Sequence, residues 1–277
     1  MPRDLTDRTI IITGASSGIG AATAIACAEA GMRVVIAARR ADRLAQVAQK
    51  IGPDRVQSVV CDVRRDEDVA RLFDEAAARF GTIHAVFANA GYAFFASVVE
   101  TSDEQMRDIF ETNFFGTVRC IRHAVRYMRE HPPAGGGHIL ICASAMSEIP
   151  MPMFGFYGAT KAAQDQIAGA LRAEVHRDNI HVTSVHPIGT RTELFDVVAE
   201  LSPRRRDGEG DASLNTPDLF IQTPQHVARC IVRCLRRPRP EVWPSNATRF
   251  GVALTTAFPR FSAWVQQRIY DRRFPRR

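Results

Sequence analysis

Apolar, β-branched runs alternate with helical patterns along most of this chain, and so regular an alternation leaves few folds open. The runs Thr9–Ile12, Arg33–Ala38, Val56–Cys61, Ile83–Ala88, His138–Ala143 and Ile180–His186 are interleaved with helical patterns over Ile19–Ala30, Arg43–Ile51, Asp68–Phe80, Glu104–Arg129 and Phe156–Arg177. Strands joined by crossover helices build a parallel sheet covered on both faces. Ile10-Ile11-Ile12 and Val34-Val35-Ile36 are apolar at every position, as suits strands buried on both sides. A helix over Gln225–Arg236 and a short strand near Val242–Trp243 complete the pattern. The expected fold class is α/β: one domain over residues 1–243 with a doubly wound parallel β-sheet of about seven strands flanked by helices. The 277 residues, 45% hydrophobic and 24% charged, supply a core of that size.

Composition narrows the functional classes. No stretch is long and apolar enough for a membrane helix, and the first eight residues contain no apolar signal core, so a cytoplasmic location is expected. The six cysteines lack Cys-x-x-Cys spacing and are expected to be small buried hydrophobes, with neither a metal site nor a disulfide framework. Much of the net charge of +6 gathers at Arg204–Arg206 and over Arg268–Arg277, which gives no reason to expect a nucleic-acid partner.

Thr13-Gly14-Ala15-Ser16-Ser17-Gly18-Ile19-Gly20 follows the first strand directly and opens the first helix. Glycines there permit a tight turn and the close approach of a pyrophosphate, whose charge meets the helix N-terminus, as in Rossmann-like sheets. No Gly-Lys-Ser/Thr follows, which disfavours an ATPase. The second strand ends Ala37-Ala38-Arg39-Arg40, where an acidic residue would hold the ribose hydroxyls of NAD. Arginines suit a 2′-phosphate instead, so NADP(H) is the expected cofactor. Asp62-Val63 and Asn89-Ala90-Gly91 close the third and fourth strands at the same edge, where adenine and the central ribose would lie.

Lys161 is one of only two lysines in the sequence, and it stands four residues after Tyr157. On a helix the two share a face. A neighbouring cation stabilises a phenolate, so the pair makes a candidate general acid/base. Taken in order, Thr-Gly-x-x-x-Gly-x-Gly at 13–20, Asp62, Asn89-Ala90-Gly91, Asn113, Ser144, Tyr157-x-x-x-Lys161 and the segment from Pro187 to Thr192 resemble the short-chain dehydrogenase/reductase family over residues 8–243. The resemblance implies that Tyr157 gives or takes the proton at a substrate oxygen and that Ser144 hydrogen-bonds the same oxygen. It further implies that Lys161 holds the nicotinamide ribose and lowers the tyrosine pKa, that Asn113 supports a proton-relaying water, and that Thr190 and Thr192 contact the cofactor carboxamide and phosphates. Ser144 is preferred over Ser147, which lies three residues deeper in the loop. The chain departs from the family pattern at Pro187-Ile188-Gly189, where Pro-Gly is usual, and in continuing from Pro244 to Arg277.

The substrate side is apolar. Met146, Met151 and Phe154, with Phe94 and Phe95 after the fourth strand and Leu194 and Phe195 at the start of a polar lid over about 193–222, are expected to line the pocket. A hydrophobic ketone, aldehyde or secondary alcohol fits better than a sugar or charged acid. A non-catalytic NADP-binding sensor or interaction protein on the same fold is the competing class. By family analogy, a homodimer or homotetramer forms through the helices at about 104–129 and 156–177. The extension over 244–277 carries Phe261, Trp264, Val265 and Ile269 at helical spacing among arginines. Such a basic amphipathic helix can touch a membrane surface weakly, dock on a partner or pack on its own subunit.

Overall fold

Seven strands pair in parallel throughout: β1 (Thr9–Thr13), β2 (Arg33–Ala38), β3 (Val56–Val60), β4 (Ile83–Ala88), β5 (Gly137–Cys142), β6 (Ile180–Val185) and β7 (Glu241–Val242), in the spatial order β3-β2-β1-β4-β5-β6-β7. This computed structural model describes residues 1–189 and 222–273, apart from the side chains of Ile269, Arg272 and Arg273. Of the expected lid over 193–222 only Gln222 lies within the described residues, its amide donating to the Gly189 carbonyl at 3.1 Å.

The continuously apolar strands face two cores. Ile11, Val35, Val86 and Ile139 pack under α3 (Asp66–Phe80), α5 (Gly116–Glu130) and α6 (Gly155–Glu174). Ile10, Ile12, Val34, Ile36, Phe87 and Leu140 face the other way, onto α1 (Gly18–Glu29), α2 (Ala41–Ile51) and α7 (Pro224–Arg236). The strand order turns about β1 and β4, and a crevice opens between their carboxyl ends, where ligands of open α/β sheets bind. The six cysteines are free, and five of them are buried.

The sequence pattern misjudges three places. The helix expected over Glu104–Arg129 is α4 (Asp103–Phe110), a π-turn (Glu111–Phe115) and then α5. The helix expected to run to Arg177 stops at Glu174, and a 3₁₀ turn over His176–Asp178 ends at Asn179 in the left-handed region, with φ 56°. Beyond β7, α8 (Asn246–Ala257) precedes α9 (Pro259–Arg273), and α8 was not anticipated. Ser245 caps α8, its side chain accepting from the Thr248 amide at 3.2 Å. Pro259 then starts α9, where its missing N–H costs no helical bond.

His138 on β5 is buried, and burial foremost lowers its pKa from the ordinary imidazole value of 6.5 to about 3. Thr183 Oγ1 donates to the Arg239 carbonyl at 2.5 Å, so the 2.8 Å contact with His138 is a donation from Nε2–H, and Nδ1 has no partner among the described residues. A folded-state pKa below the unfolded one means that only the unfolded chain takes up this proton between the two values. Stability from this site is therefore complete above about pH 6.5 and falls toward pH 3, by about 1.4 kcal/mol per pH unit. Urea unfolding at several pH values should show His138→Gln losing less stability on acidification than the parent. Parallel profiles would contradict a neutral buried imidazole.

Candidate active site

The β1–α1 turn is built for close approach. Gly14 has φ 66°, and a Cβ there would lie 2.7 Å from Ala90 Cα; a Cβ on Gly20 would strike the Gly14 carbonyl oxygen. Asn89 holds the turn from the neighbouring strand, its Nδ2 donating to the Thr13 carbonyl at 3.0 Å and to that of Gly14 at 3.3 Å. The Asn89 and Ala90 amides donate to Thr13 Oγ1 at 3.1 and 3.2 Å. Ser17 is the N-cap of α1 without a side-chain cap bond, so amides of the first turn face the crevice near Gly18 and Ile19. The Ser16 and Ser17 hydroxyls instead accept from Arg40 Nη2 at 3.1 and 3.0 Å, which fixes that guanidinium beside the turn. Arg39 is exposed beside it, and its charge reaches Asp62.

Asp62 is engaged as well. Arg64 grips its carboxylate through Nε at 3.0 Å and Nη2 at 2.7 Å, and also reaches Asp108 at 3.0 Å. Burial pushes the Asp62 carboxyl up, but these bonds outweigh it and the net shift is down. Val63 is buried against Gly116, where a Cβ would lie 2.6 Å from Val63 Cγ2, so α5 starts close to β3.

The π-turn positions Asn113, which is fully buried. Its Oδ1 accepts from the Tyr92 amide at 3.0 Å, and its Nδ2 donates to the Tyr92 carbonyl at 2.9 Å and to Thr160 Oγ1 at 3.1 Å. The widened turn frees its main-chain carbonyl, which accepts from Thr117 Oγ1 and Gln164 Nε2, both at 2.7 Å. Thr160 and Gln164 flank Lys161 on α6, and sequence reasoning missed both. Their polarity at the inward face of a buried helix was the available signal.

α6 carries Tyr157 and Lys161 on one face. Lys161 is buried; Nζ donates to the Cys142 carbonyl at 2.7 Å and lies 5.6 Å from the Tyr157 ring centroid. A Cβ at Gly91 would lie 2.9 Å from Asn113 Oδ1 and 3.6 Å from Lys161 Nζ, which brings Asn89-Ala90-Gly91, Asn113 and Lys161 to one point. Burial lowers the lysine pKa. Burial also raises the Tyr157 phenol, against a hydrogen bond with Ser144 that lowers it. The expected lowering of the phenol by Lys161 is therefore corrected for this geometry: the ammonium sits over the ring and bonds a main-chain carbonyl, and desolvation prevails.

Ser144 is buried at the end of β5. Its amide donates to Ser147 Oγ at 3.2 Å and its Oγ accepts from the Met146 amide at 3.1 Å, a reciprocal cap on the 3₁₀ turn Ala145–Ser147. Ser147 is thus occupied in holding Ser144. Pro187 ties the same loop to β6, its carbonyl accepting from the Ala145 amide at 3.0 Å. His186, stacked on Trp243 with centroids 4.2 Å apart, places Nδ1 3.2 Å from the Ser144 carbonyl and Nε2 3.4 Å from Asp165. Thr190 and Thr192 lie outside the described residues.

The apolar residues separate into two groups. Phe95, Met146, Met151 and Phe154 pack with Tyr157, Phe95 meeting Phe154 edge-on at 5.4 Å. Phe94 packs with Ala96 and Ile109 beside α4, in a second group that Phe156 and Tyr157 also join, because alternate residues of the extended segment point to opposite sides. Tyr92 turns to the same side, its hydroxyl donating to Asp108 at 2.5 Å. Met153 has φ 69°, strain of about 1–2 kcal/mol for a non-glycine residue, held by the Ala96 amide donating to its carbonyl at 3.0 Å. Leu194 and Phe195 lie outside the described residues.

A doubly wound sheet with buried serine, asparagine and lysine around a tyrosine at its carboxyl edge defines a class of oxidoreductase, and the short chain dehydrogenase family model matches residues 8–201. The chain belongs to that family. It is 35% identical over 199 residues, 68% of this chain and 72% of the other, to a short-chain type dehydrogenase/reductase of Picea abies. Among solved structures it resembles a 3-ketoacyl-(acyl-carrier-protein) reductase from Brucella melitensis complexed with NADH, at 25% identity and a TM-score of 0.72 over 84% of this chain and 92% of that one. A short chain dehydrogenase/reductase from Burkholderia phymatum in complex with NAD shares the fold at a TM-score of 0.81 and 23% identity, over 94% of this chain and 96% of that one. Among the described residues no helix is long and apolar enough to cross a membrane.

Proposed function

We propose that this protein is an NADP(H)-dependent oxidoreductase that interconverts a hydrophobic ketone or aldehyde and the corresponding alcohol, with Tyr157 as general acid/base. The observation that carries the reading is the convergence of buried Ser144, Asn113 and Lys161 around Tyr157, at the edge where the β1–α1 turn opens. The residues present fit a dinucleotide. Gly14 and Gly20 have no room for a side chain, the first amides of α1 face the crevice, and the Arg40 guanidinium stands beside the serines of that turn.

A bound nicotinamide would supply or accept the hydride. In reduction, Tyr157 Oη donates its proton to the substrate oxygen as charge develops there, and Ser144 Oγ donates a hydrogen bond to the same oxygen. A phenol raised by burial stays protonated at neutral pH, the form that donates. Lys161 holds its ammonium beside that phenol, and Asn113 fixes the π-turn behind it. Phe95, Met146, Met151 and Phe154 exclude water and favour an apolar substituent on the carbonyl. Consumption of NADPH with a panel of apolar ketones and aldehydes tests the reading. Binding of NADPH without turnover on any of them would favour the sensor function instead. Assembly as a homodimer or homotetramer through α4, α5 and α6 accompanies this proposal.

The structural neighbours hold NADH and NAD. Here two arginines occupy the strand end that an acidic residue would need for the ribose hydroxyls. A charge-assisted bond to a 2′-phosphate contributes about 1.5–3 kcal/mol, so Arg39→Ala should weaken NADPH by about 10- to 100-fold and NADH much less. Fluorescence titration of both cofactors measures this, and equal losses would contradict a 2′-phosphate site.

A further inference from the structure

The last two helices present outward faces whose large apolar side chains the described residues leave exposed. Among the described residues eleven large apolar side chains are exposed, and six of them, Phe250, Leu254, Phe258, Phe261, Trp264 and Tyr270, fall within α8, α9 and their junction. The face is organised. On α8, Thr248 and Val252 are buried, whereas Phe250 is 72% exposed and Leu254 40%. Phe250 and Leu254 stand one turn apart along the outward side. On α9, Ser262 is buried, while Phe261, Trp264 and Arg268 follow one another at helical spacing on the outer side. Phe261 stacks on Trp264 at 6.0 Å, and the Arg268 guanidinium lies 5.2 Å from the Trp264 ring centroid.

The charge around this face identifies its occupant. From Asn246 to Arg273 there are five arginines against one acidic residue, Asp271, a local net charge of +4. A second copy of the same face would bring like charges together. An anionic surface relieves that charge, and aromatic rings beside arginines suit the boundary between lipid headgroups and acyl chains. We propose that α8 and α9 dock this protein reversibly on an anionic lipid surface, with Phe250, Leu254, Phe261 and Trp264 entering the acyl boundary and Arg260 and Arg268 meeting the headgroups. α8 packs against the Ala145–Ser147 turn, so a single helix separates the docked face from the loop that carries Ser144.

The test is co-sedimentation of the full chain with phosphatidylcholine vesicles, with and without phosphatidylserine. Binding should require phosphatidylserine and decline with salt. Each cation near such a surface contributes about five-fold, so Arg260→Ala/Arg268→Ala should weaken partitioning about 30-fold. Because the sequence has two tryptophans, a Trp243→Phe background isolates Trp264, whose emission should shift to the blue on vesicle binding. Equal binding to both vesicle types, or an unshifted Trp264, would overturn the proposal. So would a dimer in size-exclusion light scattering that Phe261→Ser/Trp264→Ser converts to monomer, since a second copy would then cover the face.

Discussion

Tyr157→Phe is expected to fold and bind NADPH within about two-fold of the parent while turnover falls by about 10²- to 10⁴-fold, the contribution of a positioned general acid. Phenylalanine keeps the ring against Met146, Phe154 and the face below Lys161, so packing survives. Only the donor at the substrate oxygen is removed. The Ser144 hydroxyl remains but is already committed as an acceptor from the Met146 amide, and its single proton cannot serve both as hydrogen bond and as acid. Steady-state kinetics beside a cofactor titration separate the two effects. Turnover within about ten-fold of the parent would remove Tyr157 from the chemistry.

Lys161→Arg is the second large effect. The substitution preserves charge, yet turnover should fall by about 100-fold or more, as misplacement by about 1 Å is enough to cause. Lys161 is buried, its ammonium 2.7 Å from the Cys142 carbonyl, with the Asn113 amide and Gly91 closing the space beyond. A planar guanidinium is larger and presents its donors in a fixed fork. To enter, it must displace the Gly91 backbone or the Asn113 side chain, and overpacking of this kind typically costs about 1–3 kcal/mol. Thermal unfolding beside kinetics shows how that cost divides between stability and catalysis. Near-normal turnover would mean that any cation at 161 suffices.

The sheet was legible because β-branched runs and crossover helices obey periodicities that neighbouring layers do not alter. Each of the six longer strands falls within about two residues of its expected bounds. The glycine turn, Asn89 and the Tyr157–Lys161 pair were legible from residue type and position, whereas Asn113 and Ser144 stood out only through the family resemblance. What the intervals could not carry is the direction of a side chain when two elements compete for it. Phe94 and Phe95 have similar character in sequence, and the strand-like alternation of that segment sends Phe94 into the group with Ile109 and Phe95 into the group with Phe154, with Tyr157 touching both. The π-turn escaped because a single added residue hardly disturbs the apolar spacing on either side. The direction of the tyrosine shift escaped because it depends on depth from solvent, which the sequence does not state.

Several of the contacts that hold this site share a property. Lys161 is anchored to a main-chain carbonyl at Cys142, Asn89 to those of Thr13 and Gly14, Asn113 to both main-chain polar groups of Tyr92, and His186 reaches the carbonyl of Ser144. At 142 and 92 the side chain can therefore change over generations without severing the bond, since every residue type offers the same carbonyl and every one but proline the same N–H. Half of each interaction is heritable as a backbone position. The arrangement is robust to substitution on the receiving side and vulnerable to insertion or deletion, because one added residue in β4 or β5 would carry the carbonyls past their partners.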